Sequence, residues 1–334
     1  MTPVAPRESG SAPRDAVLAE IRSAESFLLV THENPDGDAL GSLVAMQGVL
    51  TALGKDSVMF MSADEFPLPY EYRFFRLDGL ISVIPEDFGE RTVVFLDCGN
   101  IERNPAHVLR QGGPLVNIDH HHDNTRFGTI NHVVPEASST SEIVWDLMRE
   151  LDVAPTQTIA DALYVGLVTD TGRFMYENTS PRAHVMAAEL IEAGVNVDGI
   201  YRSLYEGLPL AKLELLSRAL ARVSRYDDGS ITVARLTIDD FVETGSEESY
   251  QEGIIDHLRA VAGTKVAVLV RDQLAEDRRG SRKVSLRATD GDVDVSVIAR
   301  AQGGGGHPRA AGFSTELEFD ELVAVLRDAV AAQL

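Results

Sequence analysis

"VTHENPDGDALGS", residues 30–42, follows the apolar run Phe27-Leu28-Leu29 without a break and sets His32, Glu33, Asp36 and Asp38 within seven positions. An apolar run of strand length that stops in Asn, Pro, Asp and Gly reads as a strand over 26–31 followed by a turn. Residues 38–53 then place Leu40, Leu43, Val44, Met46, Leu50 and Leu53 near helical spacing and end at Gly54, a natural helix stop. Capping that helix needs one side-chain oxygen, which Asp38 alone would supply. His32, Asp36 and Asp38 instead offer three good metal ligands at the carboxyl end of a strand, where open α/β sheets place their sites.

The same chemistry returns further along the chain. Apolar runs of strand length, "SVMFM" (57–61), "RTVVFLD" (91–97) and "PLVNID" (114–119), are followed by helical patterns. One of these is "SSTSEIVWDLMREL" (138–151), entered by a capping-box pattern from Ser139 to Glu142, and another is "TIADALYVGLV" (158–168) after Pro155. This alternation predicts an α/β fold with a mainly parallel sheet flanked by helices. Two of the strands end in ligands, one in Asp97 and one in Asp119, His120, His121 and His122. Asp170, in "GLVTDTGRF", closes an apolar helix. A single carboxylate at a strand end is ordinary turn chemistry, whereas three strand ends sharing the pattern form a constellation.

The 334 residues suffice for about two domains. Residues 1–14 read as a flexible tail, 15–190 as the ligand-bearing domain and 191–225 as a helical linker. "RYDDGS" opens a smaller α/β domain over 226–334, with strands "ITVARL", "TKVAVLV" and "KVSLRAT", a helix over "YQEGIIDHLRAVAG" and a terminal helix from Asp320. With 30 basic and 52 acidic residues the net charge is −22, which argues against grip on long nucleic acid by phosphate neutralisation. A small anionic substrate would need local compensation from metal ions or arginines. The single cysteine, Cys98, excludes an internal disulfide and multi-Cys zinc sites; without a dedicated base it reads as a small buried residue rather than a nucleophile. The absence of a signal-type or membrane-spanning apolar run predicts a cytoplasmic protein. "GVLTALGKD" fails as a phosphate loop, since five residues separate its glycines and no Ser or Thr follows the lysine.

"HENPDGD", "FLDCG", "IDHHHDN" and "GLVTDTGRF" together resemble the four metal-binding motifs of the DHH phosphoesterase superfamily, in the expected order, and "GGGGH" (303–307) resembles its DHH-associated C-terminal domain. The chain is most similar to the nano-RNase branch. That resemblance implies a homodimer, an active site in the cleft between the two domains, and hydrolysis of short oligoribonucleotides, adenosine 3',5'-bisphosphate or cyclic dinucleotides such as cyclic di-AMP. It assigns His32 and Asp36 to one metal, Asp38, His120 and Asp170 to a second, and Asp97 to both. His121 would face the phosphate, Asp119 would orient a neighbouring histidine, and His122 receives no role. Carboxylate-rich ligation with imidazoles and no thiolate suits manganese, or magnesium less tightly.

In the second domain the resemblance places substrate contacts at Ser285 and Arg287, which share a face of one strand by the two-residue period. Further contacts fall around Gly304, Gly305, Gly306 and His307, with Arg300 and Arg309 as nearby donors. "RDQLAEDRRGSRK" (271–283) reads mainly as a solvated loop. Two alternatives remain: a family II inorganic pyrophosphatase, against which "GGGGH" argues, and a nucleotide-binding regulator without turnover, which has no need of two clustered cations.

Overall fold

A computed structural model describes residues 11–75, 77–104, 106, 108–109 and 113–334. The chain divides into two compact units between Glu206 and Gly207. The first contains α1 (Ser11–Ser23), β1 (Ser26–Val30), α2 (Gly37–Ala52), β2 (Asp56–Phe60), β3 (Leu80–Ile81), β4 (Thr92–Leu96) and β5 (Leu115–Asp119). It continues with β6 (Ile130–Val133), α3 (Thr140–Glu150), α4 (Gln157–Asp170), α5 (Pro181–Glu192) and α6 (Val197–Tyr205).

Among the described residues the first unit has one six-stranded sheet, ordered β3-β2-β1-β4-β5-β6, with every neighbouring pair parallel. The chain runs outward from β1 to β3, then returns to the other side of β1 to build β4, β5 and β6. The order therefore reverses between β1 and β4, the place at whose carboxyl edge sheets of this kind put their sites. β4 and β5 are buried along their whole length, as strands covered on both faces must be. One core joins Phe27, Leu29, Met59, Val94, Leu96 and Ile118 to α1–α6. The opposite face, through Leu28, Val30, Val93 and Phe95, is covered by side chains such as Phe88, Ile101 and Phe127 from short 3-10 turns and loops.

The second unit contains α7 (Leu210–Ala221), β7 (Ser224–Tyr226), β8 (Ile231–Leu236), α8 (Ile238–Thr244), α9 (Ile254–Arg259), β9 (Val266–Asp272) and β10 (Arg282–Ala288). α10 (Val295–Ala301), β11 (Gly305–His307), β12 (Ala310–Thr315) and α11 (Phe319–Ala331) complete it. Its six-stranded sheet, β11-β12-β10-β9-β8-β7, is mixed: β8 and β9 run parallel and the other neighbours antiparallel. Val268, Val284, Leu286 and Phe313 form its core with Ile298 of α10 and Leu322 and Leu326 of α11. No helix among the described residues is long and apolar enough to cross a membrane.

The structure departs from the sequence-based expectations in several places. The tail expected over 1–14 lies outside the described residues as far as position 10, and residues 11–14 begin α1, whose Val17, Leu18 and Ile21 enter the core. The helical stretch 191–225 is not a separate linker: Ile200 and Leu204 of α6 are buried in the first unit, whereas α7 belongs to the second. The helix expected over 250–263 shrinks to α9 because Gly253 takes a φ of 84° and breaks it from the preceding 3-10 turn. Part of "RDQLAEDRRGSRK" is sheet: Arg271 and Arg282 are buried at the ends of β9 and β10, where their guanidinium groups meet Glu248 and Glu318.

Candidate active site

The loops after β1, β4 and β5 open at the reversal of the sheet, and Asp97 stands at their centre. It is 2% exposed and takes a φ of 58°, a left-handed conformation sparsely used by non-glycine residues and found where a site fixes the backbone. His32 Nε2 lies 3.7 Å from its Oδ2 and His120 Nε2 3.6 Å from its Oδ1. His120 Nε2 is also 3.6 Å from Asp170 Oδ2. Donor atoms of His32, Asp36 and Asp97 gather into one group, and those of Asp38, His120 and Asp170 into another. The structure thus brings together all six residues expected as metal ligands, all within the first unit.

Their orientation comes from groups far away in sequence. At the N-terminus of α3 the Thr140 and Ser141 amides donate to the two oxygens of Asp38 at 2.6 and 2.9 Å, and Thr140 Oγ1 donates to Asp97 at 2.9 Å. Asn178 Nδ2 donates to Asp170 Oδ2 and to the Ser138 carbonyl. The cap of α2 is Asp36 rather than Asp38: one Asp36 oxygen accepts from the Asp38 and Ala39 amides, both at 3.0 Å. Gly166 leaves the space that Asp38 occupies, since a Cβ there would come 2.6 Å from Asp38 Oδ1 and overlap Ser141 Oγ. His32 Nδ1 lies 2.7 Å from the Glu33 carbonyl and His120 Nδ1 3.4 Å from that of Ala137. Rings held through Nδ1–H present the Nε2 lone pair inward, as metal-binding imidazoles do. His121 differs, because its Nδ1 lies 2.7 Å from Asp119 Oδ1. The neighbouring histidine held by Asp119 is therefore His121.

Burial and mutual repulsion leave these carboxylates short of positive charge. Asp38 is pushed well above the usual carboxylate range by burial and by the charges of Asp97 and Asp170. Asp170 is raised to about 7 by burial, with Asp97 and Asp36 adding to it. Asp97 itself is buried, yet the three surrounding imidazoles hold its pKa down. Burial opposes protonation of His121, but Asp119 and Asp97 outweigh it and raise the ring to about 10. Burial pushes the Cys98 thiol up to about 12, so it is no nucleophile.

Divalent cations fit this donor set. The 3.6–3.7 Å separations are too long for hydrogen bonds. Two atoms each about 2.1 Å from one ion can lie up to about 4.2 Å apart, so the separations are within reach of shared ions. His32, Asp36, Asp38, Asp97, His120 and Asp170 are the residues that would hold them.

In the second unit, Ser285 and Arg287 sit half-buried on the face of β10 opposite Val284 and Leu286. Antiparallel pairing aligns Arg287 with Ala310 and Ala310 with His307, and likewise Ser285 with Gly312 and Gly312 with Gly305. Directly opposed residues share a face, so Ser285, Arg287 and His307 line one side of the sheet. Arg300 stands apart from this row, exposed on α10, whose Ile298 and Ala299 pack into the core on the other side. The tetraglycine is not simply a turn. Gly305 and Gly306 belong to β11, and a Cβ on Gly306 would lie 2.5 Å from the Ala310 carbonyl oxygen.

Sequence reading missed Thr140, Ser141 and Asn178. The capping-box pattern marked the start of α3, but nothing local showed that this helix end lies beneath Asp38.

The model of the DHH family N-terminal domain matches residues 26–167, and that of the DHHA1 domain matches residues 228–332. The bifunctional oligoribonuclease and PAP phosphatase NrnA of Thermus thermophilus is 32% identical over 323 residues, covering 95% of this chain and 94% of that protein. The protein of the same name from Bacillus subtilis is 28% identical over 318 residues, covering 93% and 96%. Among solved structures, an exopolyphosphatase-related protein from Bacteroides fragilis shares the fold with a TM-score of 0.85 at 24% identity, over 96% of each chain. These likenesses make the chain an enzyme of the phosphoesterase class. It belongs to the DHH family and carries the DHHA1 domain behind the DHH domain.

Proposed function

We propose that this chain is a metal-dependent phosphodiesterase that hydrolyses short oligoribonucleotides to mononucleotides and also acts on adenosine 3',5'-bisphosphate, the substrate classes carried by the names of its relatives. The observation that supports it most is the position of Asp97, with the Nε2 atoms of His32 and His120 at 3.7 and 3.6 Å on its two oxygens. One carboxylate placed between two ligand groups is what a two-cation site requires. When bound, two divalent cations, manganese by the hardness of the donors, would supply an activated water at neutral pH and offset charge on the phosphorus centre.

The chain's own residues do the rest. Thr140 and Ser141 hold Asp38, and Asn178 holds Asp170, so the ligands are set before substrate arrives. His121, whose ring Asp119 steadies and whose pKa the Asp119 and Asp97 carboxylates raise, offers a fixed donor to the phosphate as negative charge develops. Ser285, Arg287 and His307, with the glycines of β11, serve the nucleotide. A homodimer is the assembly that the family resemblance implies, and the cytoplasm is the expected location.

The test is hydrolysis by manganese-loaded protein of a panel comprising di- to tetraribonucleotides, adenosine 3',5'-bisphosphate, cyclic di-AMP and long RNA, with product identification. Rapid release of mononucleotides from the short substrates is expected. Stoichiometric manganese binding with no hydrolysis of any member would point to the regulator instead.

A further inference from the structure

Arg103 lies at the edge of this site, and neither the ligand set nor the sequence motifs account for it. Its backbone is pinned beside β1. The Glu33 amide donates to the Arg103 carbonyl at 2.7 Å, the Arg103 amide donates to Asn100 at 3.0 Å, and Asn104 Nδ2 donates to the Thr31 carbonyl at 2.6 Å. From there the half-buried side chain reaches His32, with Nη2 3.0 Å from Nδ1. Its charge also bears on His121 and Cys98, lowering the pKa of each.

Two features leave this guanidinium with capacity that His32 does not use. His32 Nδ1 also lies 2.7 Å from the Glu33 carbonyl oxygen, a group that only accepts. One ring nitrogen cannot both donate to that carbonyl and accept from Arg103, so His32 does not satisfy the guanidinium while it is held by Glu33. Moreover, no carboxylate among the described residues lies within ion-pair distance of Arg103. Buried arginines elsewhere in the chain do have such partners: Arg182 has Glu142, Arg91 has Asp56 and Asp87, and Arg282 has Asp272 and Glu318. A guanidinium with no ion-pair partner among the described residues, in a chain of net charge −22, supplies the local compensation that an anionic substrate needs. Its planar fork of donors matches the oxygens of a phosphate.

We propose that Arg103 binds the phosphate group of the substrate in the first unit, donating to its non-bridging oxygens. The inference rests on the phosphoesterase reading above and adds to it a residue that touches substrate without holding metal.

The experiment uses the full chain loaded with manganese and compares wild type, Arg103→Gln and Arg103→Lys. It measures kcat/KM on a diribonucleotide, the affinity for AMP and for adenosine by calorimetry, and manganese content. Arg103→Gln should lower kcat/KM by about 10²-fold and weaken AMP binding by about tenfold or more. Adenosine affinity and manganese content should stay as in wild type. Arg103→Lys, which keeps the charge but loses the fork, should fall between the two, and it carries the test should the Gln variant fold poorly. Unchanged kcat/KM and AMP affinity in Arg103→Gln would overturn the proposal. So would loss of manganese, which would make Arg103 a support for His32. Failure of the wild type itself to bind AMP or to hydrolyse any phosphoester would be a different result, the failure of the phosphoesterase reading.

Discussion

Asp119 and His121, two residues apart at the end of β5, are joined Oδ1 to Nδ1 at 2.7 Å, with Asp119 wholly buried and its other oxygen accepting from Asn124 Nδ2 at 2.6 Å. The pair keeps His121 charged and commits its Nδ1 to a carboxylate. Asp119→Asn should therefore drop the His121 pKa from about 10 toward the ordinary imidazole range. Turnover should fall by about 10²-fold to 10³-fold with manganese content unchanged. An NMR titration of His121 read beside metal analysis and kcat checks this, and full activity in the variant would remove His121 from the phosphate.

Asp97→Ala should abolish both manganese binding and activity. The sheet should survive, because removing the central carboxylate also relieves the repulsion that lifts Asp38 and Asp170. Metal analysis and circular dichroism are the measurements, and two bound ions with normal turnover would refute the bridging assignment.

Protons and cations compete for the same oxygens. With Asp170 titrating at about 7, manganese affinity should weaken as the pH falls below 7, by up to about tenfold per unit for each proton displaced. The linkage to stability has the opposite sense. In the metal-free fold Asp170 binds its proton more tightly than the unfolded chain does at its usual 3.8. That contribution is present at acid pH and is lost as the pH rises from about 4 to about 7. Thermal unfolding of the metal-free protein across this range should show the loss, and Asp170→Asn should flatten it. An equal slope in both proteins would show that Asp170 is not its source.

Gly304 and Gly305 should respond differently to alanine. A Cβ on Gly304 would strike the Gly312 carbonyl and come 2.5 Å from Phe313 Cβ, whereas one on Gly305 meets nothing within 4 Å. Gly304→Ala should cost about 1–3 kcal/mol, lowering the unfolding temperature by several degrees, while Gly305→Ala stays near wild type. Equal stability of the two variants would contradict the pairing of β11 with β12.

Arg287→Ala should lower kcat/KM on a diribonucleotide by about tens-fold, the worth of one or two charge-assisted hydrogen bonds. Manganese content and hydrolysis of bis(p-nitrophenyl) phosphate, which has no base or ribose, should change little. Equal losses on both substrates would mean that the second unit takes part in the chemistry itself.

The apolar runs of β1, β4 and β5 and the ligands behind them could be read directly from residues 26–38, 91–97 and 114–122, because strand period and turn chemistry are local properties. His32, Asp36 and Asp38 needed only one strand end and the first turn of α2 to be recognised as a set. The alternation of Ser285 and Arg287 along β10 was legible for the same reason. Strand β11 was not, since three residues with two glycines carry no hydrophobic period; only their pairing with Ala310–Gly312 makes them a strand.

Strand order and the supports of the site were decided by the tertiary structure. An apolar strand buried on both faces packs acceptably beside many neighbours, so its sequence does not say that β4 lies against β1 and reverses the strand order there. The amides that hold Asp38 come from residues 102 and 103 positions away, and the arginine beside His32 from 71 away. Periodicity reports which face of an element is buried, not what it is buried against. Thr140, Asn178 and Arg103 acquire their roles only when the fold brings them to carboxylates and imidazoles that cannot be left in a dry interior without donors, cations or a substrate to meet their charge.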